Sequence, residues 1–176
     1  MSSRDKKTQR MARLSLLIAV AMIFSYIEAI VPYNPGIPGV KLGLANLVTV
    51  IALYIMGPKE AVTVSVIRVL ISGLLFNGAF AAMYALAGAV LSLAGMIALK
   101  RTGLFSIAGV SMAGGVLHNL GQLIVAALII EDLKMFFYFP VLLFSGIIAG
   151  IAIGIAASLL QDRLRRALRL QTPENY

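Results

Sequence analysis

A few polar side chains at or inside long apolar segments are the residues of this chain best suited to bind a small molecule. They are Glu28, Lys41, Asn46, Arg68, His118, Asn119 and Gln122. A charge at membrane depth is costly unless it is paired or hydrated, so it usually faces the protein interior and often marks a site. We expect Arg68 to pair with an anionic group of a ligand, while His118 and the amides fix its orientation.

Several of these residues also have a purely structural interpretation. Arg68 could hold Glu28 in an ion pair between two helices, and Glu28 could instead reach interfacial water. His118 and Asn119 could donate hydrogen bonds to backbone carbonyls that neighbouring glycines expose. A lone histidine without a second imidazole or a nearby carboxylate does not make a metal site, so we predict none.

The sequence lacks the residue groupings of several catalytic classes. It has no cysteine, and no lysine directly follows a glycine, so it has no phosphate-binding loop of the P-loop type. Its aspartates, Asp5, Asp132 and Asp162, are far apart and cannot form the carboxylate cluster that holds magnesium on a diphosphate. We therefore predict that the chain is not an enzyme and carries no cofactor.

Six apolar segments must position these polar side chains. They cover residues 14–31, 42–56, 61–76, 79–99, 104–130 and 135–160. The pattern predicts an all-α fold, a polytopic bundle of six transmembrane helices. The second and third segments are short for a hydrocarbon core of about 30 Å, so they could form a tilted or partly re-entrant pair. A Pro- and Gly-rich outer loop, residues 32–41, joins the first two segments.

The positive charges predict the orientation of this bundle. Of the 15 Lys and Arg residues, all except Lys41, Arg68 and Lys134 fall in the two tails or in the second and fourth connections. Because Lys and Arg tend to stay on the cytoplasmic side during insertion, both termini are expected in the cytoplasm. Residues 1–13 and 161–176 would then be basic cytoplasmic tails.

Composition places the whole chain, residues 1–176, in one integral membrane domain. Hydrophobic residues make up 60% of the sequence and charged residues only 12%, which is far from a soluble domain. The net charge of +8 lies at the ends of membrane segments and suits anionic lipid rather than nucleic acid. We expect a multi-pass protein of a prokaryotic inner or plasma membrane.

Small residues recur every four positions in two segments. One stripe comprises Gly146, Gly150, Gly154 and Ser158, and the first segment carries Ala21, Ser25 and Ala29 beside Ser15 and Ala19. Small residues let helices approach closely in lipid. The stripes could pack within the bundle or form a face that docks on another membrane protein, and the first segment is the better candidate for docking.

Two sequence stretches carry a resemblance to a known family. They are Lys41-Leu42-Gly43-Leu44-Ala45-Asn46-Leu47 and Gly57-Pro58-Lys59-Glu60-Ala61, the latter followed by a segment bearing Arg68. With these stretches, the chain resembles the Gx transporter family, which is labelled heptaprenyl diphosphate synthase component I. That family is similar to the substrate-binding S-components of energy-coupling factor (ECF) transporters.

The resemblance implies capture of a small molecule from outside, followed by docking on a membrane scaffold subunit that separate cytoplasmic ATPases drive. Ser15, Ala19, Ala21 and Ser25 match the docking stripe by position, and the loop 32–41 matches the lid of the site. A vitamin-like, flavin, quinone-related or isoprenoid substrate fits the family.

Two other functions stay open. The chain could be a non-catalytic component of polyprenyl (heptaprenyl) diphosphate synthesis, as the family label says. It could also be a structural membrane subunit of a flavin- or quinone-linked electron-transfer system. A polar cluster satisfied entirely by internal pairs would favour the structural role.

Overall fold

The computed structural model describes residues 3–31 and 43–167, and these residues form six α-helices. The helices are α1 (Ser3–Ile30), α2 (Leu44–Ile55), α3 (Pro58–Ser72), α4 (Ala79–Thr102), α5 (Ile107–Ile130) and α6 (Phe139–Ala167). A π-helical turn (Gly73–Asn77) continues α3, and a 3-10 helix (Leu133–Tyr138) leads into α6. The all-α prediction is therefore confirmed for the described residues.

Each predicted apolar segment corresponds to one helix, and the largest difference lies at the start of the first. Helix α1 begins at Ser3 rather than near residue 14. Its first turns are rich in Arg, Lys, Gln, Ala and Met, which favour helix in any environment, and Asp5 lies at the positive end of the helix. The apolar pattern therefore marks only the part of α1 that is suited to lipid.

Within the described residues, four helices are long and apolar enough to cross a membrane. They are Arg4–Ile30, Ala79–Thr102, Ile107–Ile130 and Leu133–Ala167. Helix α2 has 12 residues, or about 18 Å at 1.5 Å per residue, so it is shorter than a hydrocarbon core. The sequence expectation of a short second segment is confirmed.

Helix α2 is the most enclosed element of the bundle. Its buried positions include Ala45, Val48, Ala52 and Leu53, and it packs against α1, α3 and α6. Its sequence is apolar around most of its circumference, as expected for a helix surrounded by other helices. Because α2 is short and enclosed, its terminal backbone groups also lie against protein.

Charged side chains from three other helices meet the two ends of α2. At its start, Glu28 of α1 accepts a hydrogen bond from the Leu44 backbone nitrogen at 2.8 Å. At its end, Lys100 of α4 donates to the Leu53 carbonyl and Arg165 of α6 donates to the Tyr54 carbonyl, both at 2.6 Å. The charges match the helix dipole, which favours an anion at the amino end and cations at the carboxyl end.

Glycines bring α4, α5 and α6 into close backbone contact. A Cβ on Gly150 would lie 2.6 Å from the Met112 Cα, and one on Gly146 would lie 2.9 Å from the Gly115 carbonyl oxygen. A Cβ on Gly121 would lie 2.7 Å from the Ala87 carbonyl oxygen in α4. The glycines of the α6 stripe, buried at Gly146, Gly150 and Gly154, thus pack inside the bundle, which confirms the first of the two interpretations above.

Adding one methyl group to this contact should destabilise the protein. We expect Gly150→Ala to lower the free energy of unfolding by about 1–3 kcal/mol, because the new Cβ meets backbone rather than a movable side chain. Gly109→Ala is the matched control, since its Cβ would meet only ordinary contacts beyond 3.5 Å. Thermal unfolding in detergent measures both, and equal stability of the two variants would contradict the packing argument.

Removing a cation from the end of α2 should also be costly. We expect Arg165→Met to destabilise the protein by about 1–3 kcal/mol, because the Tyr54 carbonyl loses its charged donor. The neighbouring Arg166 is exposed and donates only to the Asp162 carbonyl of its own helix, so Arg166→Met is the control. A similar unfolding temperature for both variants would show that the capping bond contributes little.

Candidate ligand-binding site

A cavity lies at the centre of the bundle, and all six helices contribute to its walls. It offers about 110 Å³ to the centres of water-sized molecules, whereas a single water needs only about 10–15 Å³ by this measure. The cavity is therefore large enough for more than one ordered water. Six of the seven residues that sequence reasoning proposed as ligand contacts line it, namely Glu28, Asn46, Arg68, His118, Asn119 and Gln122.

The charged part of the wall is built where α1, α2 and α3 meet. Arg68 of α3 is only 8% exposed and donates from Nη2 to Asn46 Oδ1 of α2 at 3.0 Å. Glu28 lies close enough for its charge to act on Arg68, but these two side chains do not form an ion pair. The direct Glu28–Arg68 pair considered above is not formed, since Glu28 caps α2 and Arg68 bonds to Asn46.

Three of the polar residues that α5 presents to the cavity, His118, Asn119 and Gln122, were proposed from the sequence, and they lie in different environments. Asn119 donates from Nδ2 to the Leu142 carbonyl of α6 at 2.7 Å and to Ser145 Oγ at 3.2 Å. A Cβ on Gly88 of α4 would lie 2.9 Å from the His118 imidazole, so that glycine makes room for the ring. The side-chain nitrogen of Asn119 thus links α5 to α6 through a backbone carbonyl, as in the structural interpretation given above. His118 and Gln122 line the cavity.

The remaining residues proposed from the sequence lie in three places. Some are on the outer surface of the bundle, some are in its interior, and some are outside the described residues. Lys41 and the lid-like loop 32–41 lie outside the described residues. Ser15 and Ala19 are exposed on α1, whereas Ala21 is fully buried and Ser25 lines the cavity. The four residues of the expected docking stripe therefore do not share one open face, because Ala21 and Ser25 face the bundle interior while Ser15 and Ala19 lie on the other side of α1.

Sequence reasoning missed the hydroxyl groups that line the cavity. Thr49 was not singled out, and Ser25 was assigned to docking, yet both are buried, at 3% and 6% exposure. A usable signal existed, because Ser25 lies three residues before Glu28 and Thr49 three residues after Asn46. Positions three apart share one face of a helix, so each hydroxyl accompanies a residue already proposed for the site.

Several of these polar atoms have no partner within the described part of the chain. They are Ser25 Oγ, Thr49 Oγ1 and Arg68 Nε, each on a residue that lines the cavity. Buried polar groups in folded proteins are nearly always hydrogen-bonded. Unpartnered donors around a cavity therefore suggest that something else meets them, either water or a ligand.

The wall that α4 contributes to the cavity is mostly apolar. It includes Ala82, Ala85, Ala89, Leu93 and Met96, with Ser92 as its one polar side chain among the described lining residues, and the small alanine side chains leave open space beside α4. The described residues hold no group of three or more His, Asp and Glu side chains that could bind a metal ion. The arrangement suits reversible binding of a small molecule with a polar end and an apolar body.

Comparison with known proteins identifies the family. No curated protein and no solved structure matches this chain. A family model described as heptaprenyl diphosphate synthase component I matches residues 17–160, a range that includes every cavity-lining residue named above. The chain belongs to the heptaprenyl diphosphate synthase component I family.

Proposed function

We propose that this chain is a multi-pass membrane subunit that binds a small molecule in its central cavity on behalf of a transporter. One observation carries the proposal: an apolar helical bundle surrounds a cavity whose wall holds a buried arginine and polar side chains from the five other helices. In a protein of this composition, a polar cavity costs stability, so its presence argues for a ligand.

In this proposal the chain is the S-component-like part of a larger transport system. Separate scaffold and ATPase subunits would supply the energy, and the substrate would be a vitamin-, flavin- or quinone/isoprenoid-related molecule. Within the stripe expected to dock on the scaffold, only Ser15 and Ala19 are exposed. A docking face would therefore centre on these two residues and on exposed apolar neighbours such as Leu16 and Ile23.

The proposed membrane orientation has support from side-chain contacts. Arg10 of α1 pairs with Glu60 at the start of α3, and Lys100 and Arg165 meet at the end of α2. The basic N-terminal region, the second and fourth connections and the end of α6 thus gather at one end of the bundle. A cytoplasmic location for that end agrees with the preference of Lys and Arg for the inner side.

A second candidate, a component of polyprenyl diphosphate synthesis, is favoured by the description of the family. The word component implies at least one further subunit. Arg68 is the only Lys or Arg among the described residues that line the cavity, and the same residues offer no metal-binding carboxylate cluster. Diphosphate chemistry needs such charges, so in this role the chain would assist another subunit rather than react itself.

The test is mass spectrometry of small molecules that co-purify with the protein in detergent. We expect the wild type to retain one compound in stoichiometric amount and Arg68→Gln to lose most of it, because the buried guanidinium is replaced by a neutral amide. Arg101→Gln, at an exposed arginine in the last turn of α4, is the matched control and should retain the compound.

Other outcomes decide between the candidates. If wild type and both variants are folded and none retains a compound, the binding proposal is wrong. If deletion of the chain abolishes prenyl transfer in membranes while no compound binds, the second candidate replaces the first.

A further inference from the structure

We infer that the molecule bound in the central cavity presents a single carboxylate to Arg68, Ser25 and Thr49, and that its apolar body lies along α4. This inference rests on the proposed binding function and names the chemical class of the ligand. It assigns roles to two hydroxyl groups, on α1 and α2, that the proposed function alone does not require.

The directions of the helices place the cavity's polar groups in two adjacent layers. Glu28, Asn46 and Arg68 form the charged layer, and the hydroxyls of Ser25 and Thr49 form the other. Helices α1 and α3 run opposite to α2, as the Glu28–Leu44 and Arg68–Asn46 contacts show. Ser25 precedes Glu28 by three residues and Thr49 follows Asn46 by three, a step of about 4.5 Å along each helix. Because α1 and α2 are antiparallel, both steps lead in the same direction, so the two hydroxyls form a layer next to the charged one.

The unpartnered atoms of these layers are donors or can act as donors. Arg68 Nε, Ser25 Oγ and Thr49 Oγ1 are buried and lack a hydrogen-bond partner within residues 3–31 and 43–167. A guanidinium nitrogen only donates, and a hydroxyl oxygen can donate its one hydrogen. Arg68 Nε requires an acceptor, and a carboxylate with two oxygens can accept from it and from both hydroxyls together.

The charges of the wall favour one negative charge on that group. Among the described cavity residues, with His118 counted as neutral at pH 7, Arg68 contributes one positive charge and Glu28 one negative charge. The amino end of α2, which Glu28 caps, adds the equivalent of about half a positive charge. The balance is weakly positive, so it attracts a monoanion but is too small for a doubly charged phosphate monoester.

The apolar side of the cavity determines the rest of the molecule. Ala82, Ala85 and Ala89 lie along α4 and line the cavity, and Leu93 and Met96 continue this wall beside the hydroxyl of Ser92. Alanine side chains leave space without offering hydrogen bonds. A narrow hydrocarbon chain or a flat ring attached to the carboxylate would fill this space and gain from leaving water.

The experiment measures binding of hexanoate, hexanamide and hexyl phosphate to the detergent-solubilised full chain by isothermal titration at constant ionic strength. We expect hexanoate to bind saturably and both other compounds to bind at least about tenfold more weakly, because hexanamide lacks the charge and hexyl phosphate carries too much. Equal binding of hexanamide, tighter binding of hexyl phosphate, or no binding of hexanoate would overturn the inference.

Hydroxyl-deletion variants separate a ligand-binding role from a structural one. Ser25→Ala combined with Thr49→Val should weaken hexanoate binding about tenfold while leaving the unfolding temperature of the free protein unchanged or raised, because no bond of the free protein is lost. Thr63→Val and Ser158→Ala remove hydroxyls that bond to backbone carbonyls of their own helices, and they should not change binding. A clear drop in unfolding temperature, or unchanged affinity, in the double variant would overturn the inference.

The mass spectrometry of co-purifying compounds tests the proposed function separately from this inference. A stoichiometric compound that co-purifies with the wild type and lacks a carboxylate would refute the inference while supporting the binding function. Absence of any retained compound would refute both.

Discussion

A short buried helix with charged side chains at both ends is the constraint on which the rest of this structure depends. Helix α2 has unpaired amide groups at its start and unpaired carbonyl groups at its end, as every helix does. In a long membrane helix these groups reach water or lipid headgroups, whereas α2 is surrounded by its neighbours. Glu28, Lys100 and Arg165 meet groups at its two ends, so the positions of α1, α4 and α6 are tied to one element.

The same interactions account for much of the polar lining of the cavity. Helices α1, α2 and α3 are held together by hydrogen bonds between charged and amide groups, and these groups also face the cavity. Helices α4, α5 and α6 approach one another through glycine contacts, and Asn119 adds hydrogen bonds between α5 and α6. The cavity lies where these two sets of helices meet.

The sequence predicted the helices and much of the cavity lining, because both depend on local pattern. Apolar runs predict the helices, and polar residues such as Arg68 and Gln122 stand out inside such runs. The sequence could not predict that Lys100 and Arg165 cap α2, because these residues also carry the expected signal of basic loops at a membrane surface. Nor could it separate Ser15 and Ala19 from Ala21 and Ser25, since small-residue spacing alone does not say which side of α1 faces the bundle.

The capping of α2 also has a consequence for the order of events during synthesis. Its first partner, Glu28, precedes it in the chain, but Arg165 follows Tyr54 by 111 residues. At about 5–20 residues per second, the ribosome needs roughly 5–20 s to make the chain between them. During that interval the Tyr54 carbonyl must find water, lipid headgroups or another donor, so α2 cannot reach its final enclosed state until α6 has been made.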